Sequence, residues 1–538
     1  MNRFIQWYQL KNRWWLPLVC GIFYTICHPP FNHETHPVLF FFPFTSFCVV
    51  VPLFLFSIQN PVKKAAQHTY LFGITASISQ FYWISNVMIR GLWPIIMFGL
   101  GLLTLFFALL FLLYGMLFRI CINRFGSVVT IIYPTIWILL EYLRTLGDIS
   151  FPWTFSGYAL VPILYISQIV SITGIYGLSF FVITGNVAVF NLIKAIYVNK
   201  SVKSKIVYPF ILCILVTVMC IWGFFRIQKN KDMNDKIRIS LIQSKMDQAN
   251  WNGRISLDTS LAITQKMVYS TVQENPDLIL FPESGIYCYL EKQKNEKALV
   301  SKWSDSLDIP FIIGTLHWEK MKDDPYYKYK VYNSIFLLEK GALTFHKYHK
   351  IKLVPFSEAL PFEGIFPILS RINLGESDFQ RGKDETVFKF KDRSNYSIAP
   401  FLCYEIIYPD FVRKRISKGA AMLVNLTNDS WFGFSTAPYH HANMARTRSI
   451  ENGVSMARCA NSGISMLVDP VGRVIKKTSL YERTVLTGNI PSRTIHTFYM
   501  KYGNCFLWMM ASISLCLVGY IFFKKTFFQT EHKSLKKE

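Results

Sequence analysis

The stretch Ile398-Ala-Pro-Phe-Leu-Cys-Tyr-Glu405 reads as an apolar strand that delivers Cys403 at its C-terminal end, directly before a helix expected near 404–417. Ligands collect at the C-terminal ends of strands in open α/β sheets. A thiol at a helix N-terminus also meets the positive end of the backbone dipole, which lowers its pKa, and faces free N–H groups that can hold an oxyanion. The simplest alternative for Cys403 is a buried structural thiol.

Two other segments offer matching chemistry. In Phe281-Pro-Glu-Ser-Gly285, Glu283 follows the apolar run Leu278-Ile-Leu-Phe281. A partly desolvated carboxylate there would have a raised pKa suited to taking a thiol proton; an N-capping or surface glutamate is the bland alternative. In Tyr348-His-Lys-Ile-Lys-Leu-Val-Pro-Phe-Ser-Glu358, Lys350 precedes apolar residues that would fix its ammonium as a point charge. Local chemistry does not separate it from Lys347 and Lys352, or from an ordinary loop lysine. Base, cation and thiol together are the parts of an acyl-transfer site.

Strand-like runs are expected at Ile237–Gln243, Asp277–Phe281, Phe311–Gly314, Val331–Leu338, Ile398–Cys403, Ala421–Asn425, Ser455–Ala460 and Ser465–Val468. Helical patterns near 254–273, 291–306, 404–417 and 438–452 alternate with them. Such alternation predicts an α/β layered domain.

Hydrophobic spans bracket that domain. They run at about 14–28, 37–57, 69–88, 92–118, 127–145, 170–193, 206–226 and 503–523, each near the roughly 20 residues a spanning helix needs. A mean hydropathy of +0.27 with 17% charged residues is too apolar for a soluble protein of 538 residues. The predicted division is therefore a membrane domain over 1–231 with about seven helices, a polar domain over 232–495, and a last helix with a basic tail over 496–538. The basic first span lacks a cleavage site and is read as an uncleaved helix.

The formal charge of +24 does not point to nucleic acid. Its Lys and Arg sit at the ends of apolar runs, the pattern of membrane orientation, and no nucleic-acid motif accompanies them. With eight alternating spans, Arg3, Lys11, Arg13, Lys63, Lys64, Arg119, Arg124, Lys194, Lys200, Lys203, Lys205 and the tail from Lys524 share one side, expected to be cytoplasmic. The polar domain then lies outside. Arg226, Lys229 and Lys231 go against the rule, which large translocated domains tolerate.

Most of the 11 cysteines lie in apolar runs and read as small buried hydrophobes. Only Cys288, Cys403 and Cys459 fall in the polar domain, with no Cys-x-x-Cys or zinc spacing, and a Cys288–Cys459 bridge stays open. His-Glu-x-x-His, Gly-x-Ser-x-Gly and Walker-type loops are absent.

The ordered segments Pro-Glu-Ser, Lys-x-x-Leu-Val-Pro-Phe-x-Glu and Cys-Tyr-Glu resemble the carbon–nitrogen hydrolase (nitrilase) superfamily, in particular its membrane-embedded branch, the apolipoprotein N-acyltransferase family. Asn425-Leu-Thr-Asn-Asp-Ser-Trp-Phe-Gly433, His441-Ala-Asn-Met-Ala-Arg-Thr-Arg448, Ala460-Asn-Ser-Gly-Ile464, Glu141-Tyr-Leu-Arg144 and Phe151-Pro-Trp153 extend the resemblance over nearly the whole chain. Ser357 departs from it, standing where the family pattern has glycine. The resemblance implies an extracytoplasmic αββα sandwich on a multi-pass helical membrane domain, and a Glu283–Lys350–Cys403 triad. It also implies supporting glutamates Glu358 and Glu405, with Trp251, Asn333 and Tyr404 as further important positions, for which core packing or turn formation is the simpler alternative.

The implied reaction is ping-pong acyl transfer without metal or organic cofactor. A membrane phospholipid would acylate Cys403, with Lys350 and the Tyr404 backbone N–H on the oxyanion, and the α-amino group of an S-diacylglyceryl N-terminal cysteine on an apolipoprotein would accept the chain. A monomer in the bacterial inner membrane, with its catalytic domain on the periplasmic side, is expected. The apolar loops Leu360-Pro-Phe-Glu-Gly-Ile-Phe366 and Trp431-Phe-Gly-Phe434 are candidates for gating lipid entry. A membrane-anchored amidase acting on a soluble C–N substrate and a non-catalytic receptor are the competing classes.

Overall fold

The fold is that of a computed structural model, which describes residues 14–28, 37–87, 92–197, 202–246, 255–321, 329–342, 344–362, 379–390 and 396–534. Trp251 and the distal half of the 360–366 loop lie outside the described residues.

The strands are β1 (Lys236–Gln243), β2 (Leu278–Leu280), β3 (Phe311–Lys320), β4 (Tyr329–Leu338), β5 (His346–His349), β6 (Phe388–Lys389), β7 (Ser397–Leu402), β8 (Met422–Thr427), β9 (Ser455–Ala460), β10 (Met466–Val468), β11 (Val474–Lys477) and β12 (Thr484–Pro491). They form two six-stranded sheets, ordered β12-β1-β2-β3-β4-β5 and β11-β10-β9-β8-β7-β6. Each has a parallel trio, β1-β2-β3 or β7-β8-β9, with antiparallel partners on either side.

Period-two alternation explains why the sheets stack. Ile237, Ile239, Leu241, Leu278, Leu280, Ile312, Ile335 and Leu337 face Ile398, Leu402, Met422, Val424, Leu426 and Leu467 in one apolar layer. The alternate residues Ile279, Phe281, Phe311, Ile313 and Phe336 pack under helices Leu257–Ser270 and Lys294–Leu307. On the other sheet, Ala399, Phe401 and Leu423 pack outward against Pro409–Ile416 and Ala437–Asn452. The result is a nitrilase-like α/β domain of four layers.

That second outer layer is continuous with the core of the N-terminal half, where Trp153, Phe155, Tyr158, Ile175 and Tyr176 join the same apolar cluster. Polar contacts pin the junction: the Ile175 N–H donates to Glu451 Oε1 (2.9 Å), Asn443 Nδ2 to the Tyr158 carbonyl (2.9 Å) and Gln168 Nε2 to the Val471 carbonyl (2.9 Å).

The N-terminal half is a set of apolar helices. Four segments among the described residues are long and apolar enough to cross a membrane: Trp93–Leu143, Ile175–Ile196, Ile206–Lys229 and Cys505–Phe523. The first holds 51 residues, which as one rod would extend about 77 Å, more than twice a ~30 Å hydrocarbon core. Gly126, at φ +56°, breaks it between helices Trp93–Phe125 and Val129–Leu143. Helix Val62–Phe81 carries Lys63, Lys64 and His68, and Trp15–Cys27 and Phe42–Ser57 are shorter than a span. Helix Val202–Lys229 leaves Phe210, Ile214, Val218, Ile221 and Phe225 exposed, a face that suits lipid.

One expectation needs correction, and one open question is answered. Residues 404–417 are not one helix: a short 3₁₀ turn, Cys403–Ile407, is separated at Tyr408 from helix Pro409–Ile416, so no α-helix begins at Cys403. Pro409 accounts for the break, since it disfavours helical geometry at the residue before it. Cys288 and Cys459 are both free, which answers the open question of a bridge. Cys288 lies in the core under the first sheet's helices and Cys459 between the sheets.

Candidate active site

Glu283, Lys350 and Cys403 come from three strand ends and meet at one edge of the sandwich. Glu283 lies just beyond β2, where Gly314 on the neighbouring strand lets the backbone pass: a Cβ there would sit 2.2 Å from the Pro282 carbonyl and 2.7 Å from Glu283 Cα. The Glu283 carboxylate is buried. Its Oε1 accepts from Asn333 Nδ2 (2.9 Å) and Lys350 Nζ (3.2 Å), and its Oε2 from the Asn428 N–H (2.9 Å).

Lys350 follows β5 and is 1% exposed. Its backbone N–H donates to the Asn333 carbonyl at 2.9 Å, and its Nζ to Glu358 Oε1 at 2.7 Å. Burial opposes the ammonium charge, but Glu283 and Glu358 outweigh it and hold the Lys350 pKa well above its ordinary value. Glu358 is fixed in turn by the Val354 N–H on Oε2 (2.9 Å). Burial raises its pKa, with Lys350 opposing and Glu283 adding to the rise.

Cys403 is half-buried and takes φ +44°, a left-handed conformation unusual for a side-chain-bearing residue. Burial pushes its thiol well above the usual range; the Glu283 carboxylate adds to that, while Lys350 and a hydrogen bond with Thr427 pull the other way. The expected lowering by a helix dipole therefore does not operate here. Activation must come from proton transfer.

Glu405 is the staple of the site. Its Oε1 accepts from Tyr348 Oη (2.5 Å), the Ile351 N–H (2.7 Å) and the Lys352 N–H (3.1 Å), and its Oε2 from the Leu402 N–H (2.8 Å). One carboxylate thus ties the segment after Lys350 to the residue before Cys403. Lys347 points elsewhere and pairs with Glu291 at 2.6 Å; Lys352 is half-buried with its ammonium over the Tyr408 ring. The Tyr404 side chain leaves the site and donates to the Ser150 carbonyl at 2.8 Å, joining the two halves of the chain.

A second buried group was not singled out from the sequence. His441 Nε2 lies 3.2 Å from the Cys403 carbonyl and its Nδ1 2.9 Å from Asp429 Oδ1, while Arg458 Nη2 donates to Asp429 Oδ2 at 2.8 Å. Burial raises the Asp429 carboxyl, but Arg458 and His441 more than offset it and bring it to about 2. No spacing connects these residues before the fold is known. Cys403, Asp429 and His441 place donor atoms within 4.8 Å of one another, but Thr427 and Arg458 already engage the carboxylate, and Asp429 and the Cys403 carbonyl the two ring nitrogens. This is a holding frame for the thiol rather than a metal cage.

Residues 238–499 match the carbon–nitrogen hydrolase family model, and residues 20–188 match that of the apolipoprotein N-acyltransferase N-terminal domain. An apolipoprotein N-acyltransferase of Rickettsia typhi is 32% identical over 495 residues, covering 89% of this chain and 93% of that one. Another, of Geobacter metallireducens, is 29% identical over 480 residues, covering 88% and 90%. Among solved structures, Saccharomyces cerevisiae Nit3, a member of branch 10 of the nitrilase superfamily, aligns with 18% identity and a TM-score of 0.38, covering 51% of this chain and 96% of Nit3.

Proposed function

Because the chain belongs to the apolipoprotein N-acyltransferase family of the nitrilase superfamily, we propose that it acylates lipoproteins with a chain taken from a membrane phospholipid, by way of a thioester on Cys403. The buried contact of Lys350 with Glu283 and Glu358 beside Cys403 is the observation that carries this reading. In the first half-reaction Glu283 takes the Sγ proton as sulfur attacks an ester carbonyl. Lys350, with the Tyr404 backbone N–H, stabilises the oxyanion; the ester C–O bond breaks, and Glu283 returns the proton to the leaving lysophospholipid alkoxide. In the second, the α-amino group of an S-diacylglyceryl cysteine attacks the thioester. Glu283 carries the amine's proton to the departing thiolate, and an amide remains.

Tethering has a physical reason. A released C16-class chain would meet water at a cost of about 0.8 kcal/mol per exposed CH₂. A site mounted on apolar helices lets both lipid substrates keep their tails in the bilayer. We read eight crossings, with the membrane domain over 1–231, the catalytic domain over 232–495 and the last helix and tail over 496–538. The break at Gly126, which divides the 51-residue segment, supports that reading. The distribution of Lys and Arg favours a periplasmic catalytic domain on the bacterial inner membrane, and we read the chain as acting as a monomer.

The test is mass spectrometry of the purified chain after incubation with phospholipid. A Cys403 thioester that a diacylated lipopeptide discharges is expected; active protein forming no such adduct would sink the mechanism.

A further inference from the structure

The alternation that sends Asn333 and Lys350 towards the catalytic site sends their neighbours Ser334 and His349 to the opposite face of the first sheet. On that outer face the register places His317 of β3 opposite Tyr332 of β4, and Ser334 opposite His349 of β5, with Glu319 two residues beyond His317. The His317 and His349 rings lie parallel, with an interplanar angle of 6° and centroids 5.2 Å apart. Donor atoms of His317, Glu319 and His349 all fall within 4.8 Å of one another.

We propose that His317, Glu319 and His349 form a binding site for a divalent transition-metal ion of the borderline class typified by Zn²⁺. Two imidazoles and a carboxylate are donors that suit such an ion. Each donor also has an outer partner that aims it, as metal ligands usually do. Glu291 Oε2 lies 3.4 Å from His317 Nδ1, whose Nε2 faces Glu319 Oε1 at 3.9 Å. Ser334 Oγ lies 2.8 Å from His349 Nδ1, leaving its Nε2 for a ligand bond. Tyr332 Oη donates to Glu319 Oε2 at 3.3 Å.

The protein's own groups leave this cluster unfinished. His317 is 2% exposed, yet its Nδ1 makes nothing closer than the long 3.4 Å contact with Glu291 Oε2, which Lys347 Nζ also holds at 2.6 Å, a cost that a bound cation on the same ring, polarising Nδ1–H toward Glu291, would offset. With bonds of about 2.0 Å, tetrahedral donor atoms stand ~3.3 Å apart. The His317 Nε2–Glu319 Oε1 pair, 3.9 Å apart, reaches that spacing by a small inward swing of Glu319, whose side chain is 53% exposed. Occupancy would clamp β3 to β5 directly behind Lys350.

The experiment is titration of the metal-stripped, detergent-solubilised full chain with Co²⁺ and Zn²⁺, followed by absorption, calorimetry and the thermal midpoint. It is run in a Cys403→Ala background to remove the thiol of the other cluster. One equivalent should bind and raise the midpoint. Glu319→Ala, at an exposed position where folding is not at stake, should weaken binding at least tenfold, and His317→Gln should do so more strongly. Absence of a bound equivalent, or equal affinity in the parent and in Glu319→Ala, would overturn the proposal.

Discussion

Glu358 Oε1 lies 2.7 Å from Lys350 Nζ, closer than the 3.2 Å between that ammonium and Glu283 Oε1. The lysine is thus shared between two carboxylates, and the nearer one is not the base of the proposed reaction. A buried ammonium needs that second anion to stay charged while Glu283 cycles through its protonated form. Glu358→Gln keeps the shape and removes the charge, so thioester formation should fall about 100-fold, the scale of losing one oxyanion donor. Stopped-flow or quenched measurement of Cys403 acylation checks this, with the thermal midpoint reporting any structural loss; an unchanged rate would refute the assignment.

Thiol titration separates two effects of Glu283. Burial and the Glu283 carboxylate both raise the Cys403 pKa, so at pH 7 the thiol is protonated and alkylation by iodoacetamide should be slower than for a free thiol of pKa ~8.5. Its rate should climb with pH beyond that value. Glu283→Gln removes a negative neighbour, which lowers the thiol pKa and moves the alkylation profile to lower pH. The same variant removes the base and should lower acyl transfer at least ~1000-fold, taken as the combined loss of base and positioning. Faster alkylation with lost transfer is therefore the expected signature.

Gly314→Ala should be costly although it adds a single carbon. The contacts it would meet are backbone, the Pro282 carbonyl at 2.2 Å and Glu283 Cα at 2.7 Å, and neither can swing aside. Overpacking of this kind costs about 1–3 kcal/mol. Displacing the base by about 1 Å costs on the order of 100-fold in rate. Activity should fall more than the thermal midpoint suggests, and a crystal structure of the variant should show the Pro282–Glu283 turn displaced.

Much of the catalytic domain was legible because its core strands obey simple alternation. Ser455–Ala460 matches its expected bounds, and the other seven expected strands are present with shifted or longer ends, except that Asp277–Phe281 and Ser465–Val468 shorten to Leu278–Leu280 and Met466–Val468. The four strands missed, β5, β6, β11 and β12, are short, polar or interrupted: His346-Lys-Tyr-His349 has little apolar content, and β12 contains Gly488 and ends at Pro491. Their strand state comes from pairing, which local sequence does not encode. The segments bearing Glu283, Lys350 and Cys403 could be found by resemblance, whereas the His441–Asp429–Arg458 frame could not be assembled without topology. The helix expected at Cys403 failed because Pro409 divides the segment. In the N-terminal half, apolar content was plain but prolines and charged helix starts hide where each crossing begins.

His441 makes a final case, because its ring touches the Cys403 backbone rather than the reacting sulfur. The Cys403 carbonyl 3.2 Å from Nε2 belongs to a residue at φ +44°, a conformation that costs about 1–3 kcal/mol and persists only when its surroundings enforce it. Removing the ring should let the turn relax and move the thiol away from Glu283. His441→Ala is expected to slow acylation about 100-fold, whereas His441→Gln, whose amide can still donate to the same carbonyl, should recover most of that. The pH profile discriminates the roles: a positioning residue leaves its midpoints where Glu283 and Cys403 set them, and a His441 acting as base would remove one. A profile that loses a limb in His441→Gln would show that the ring itself moves the proton.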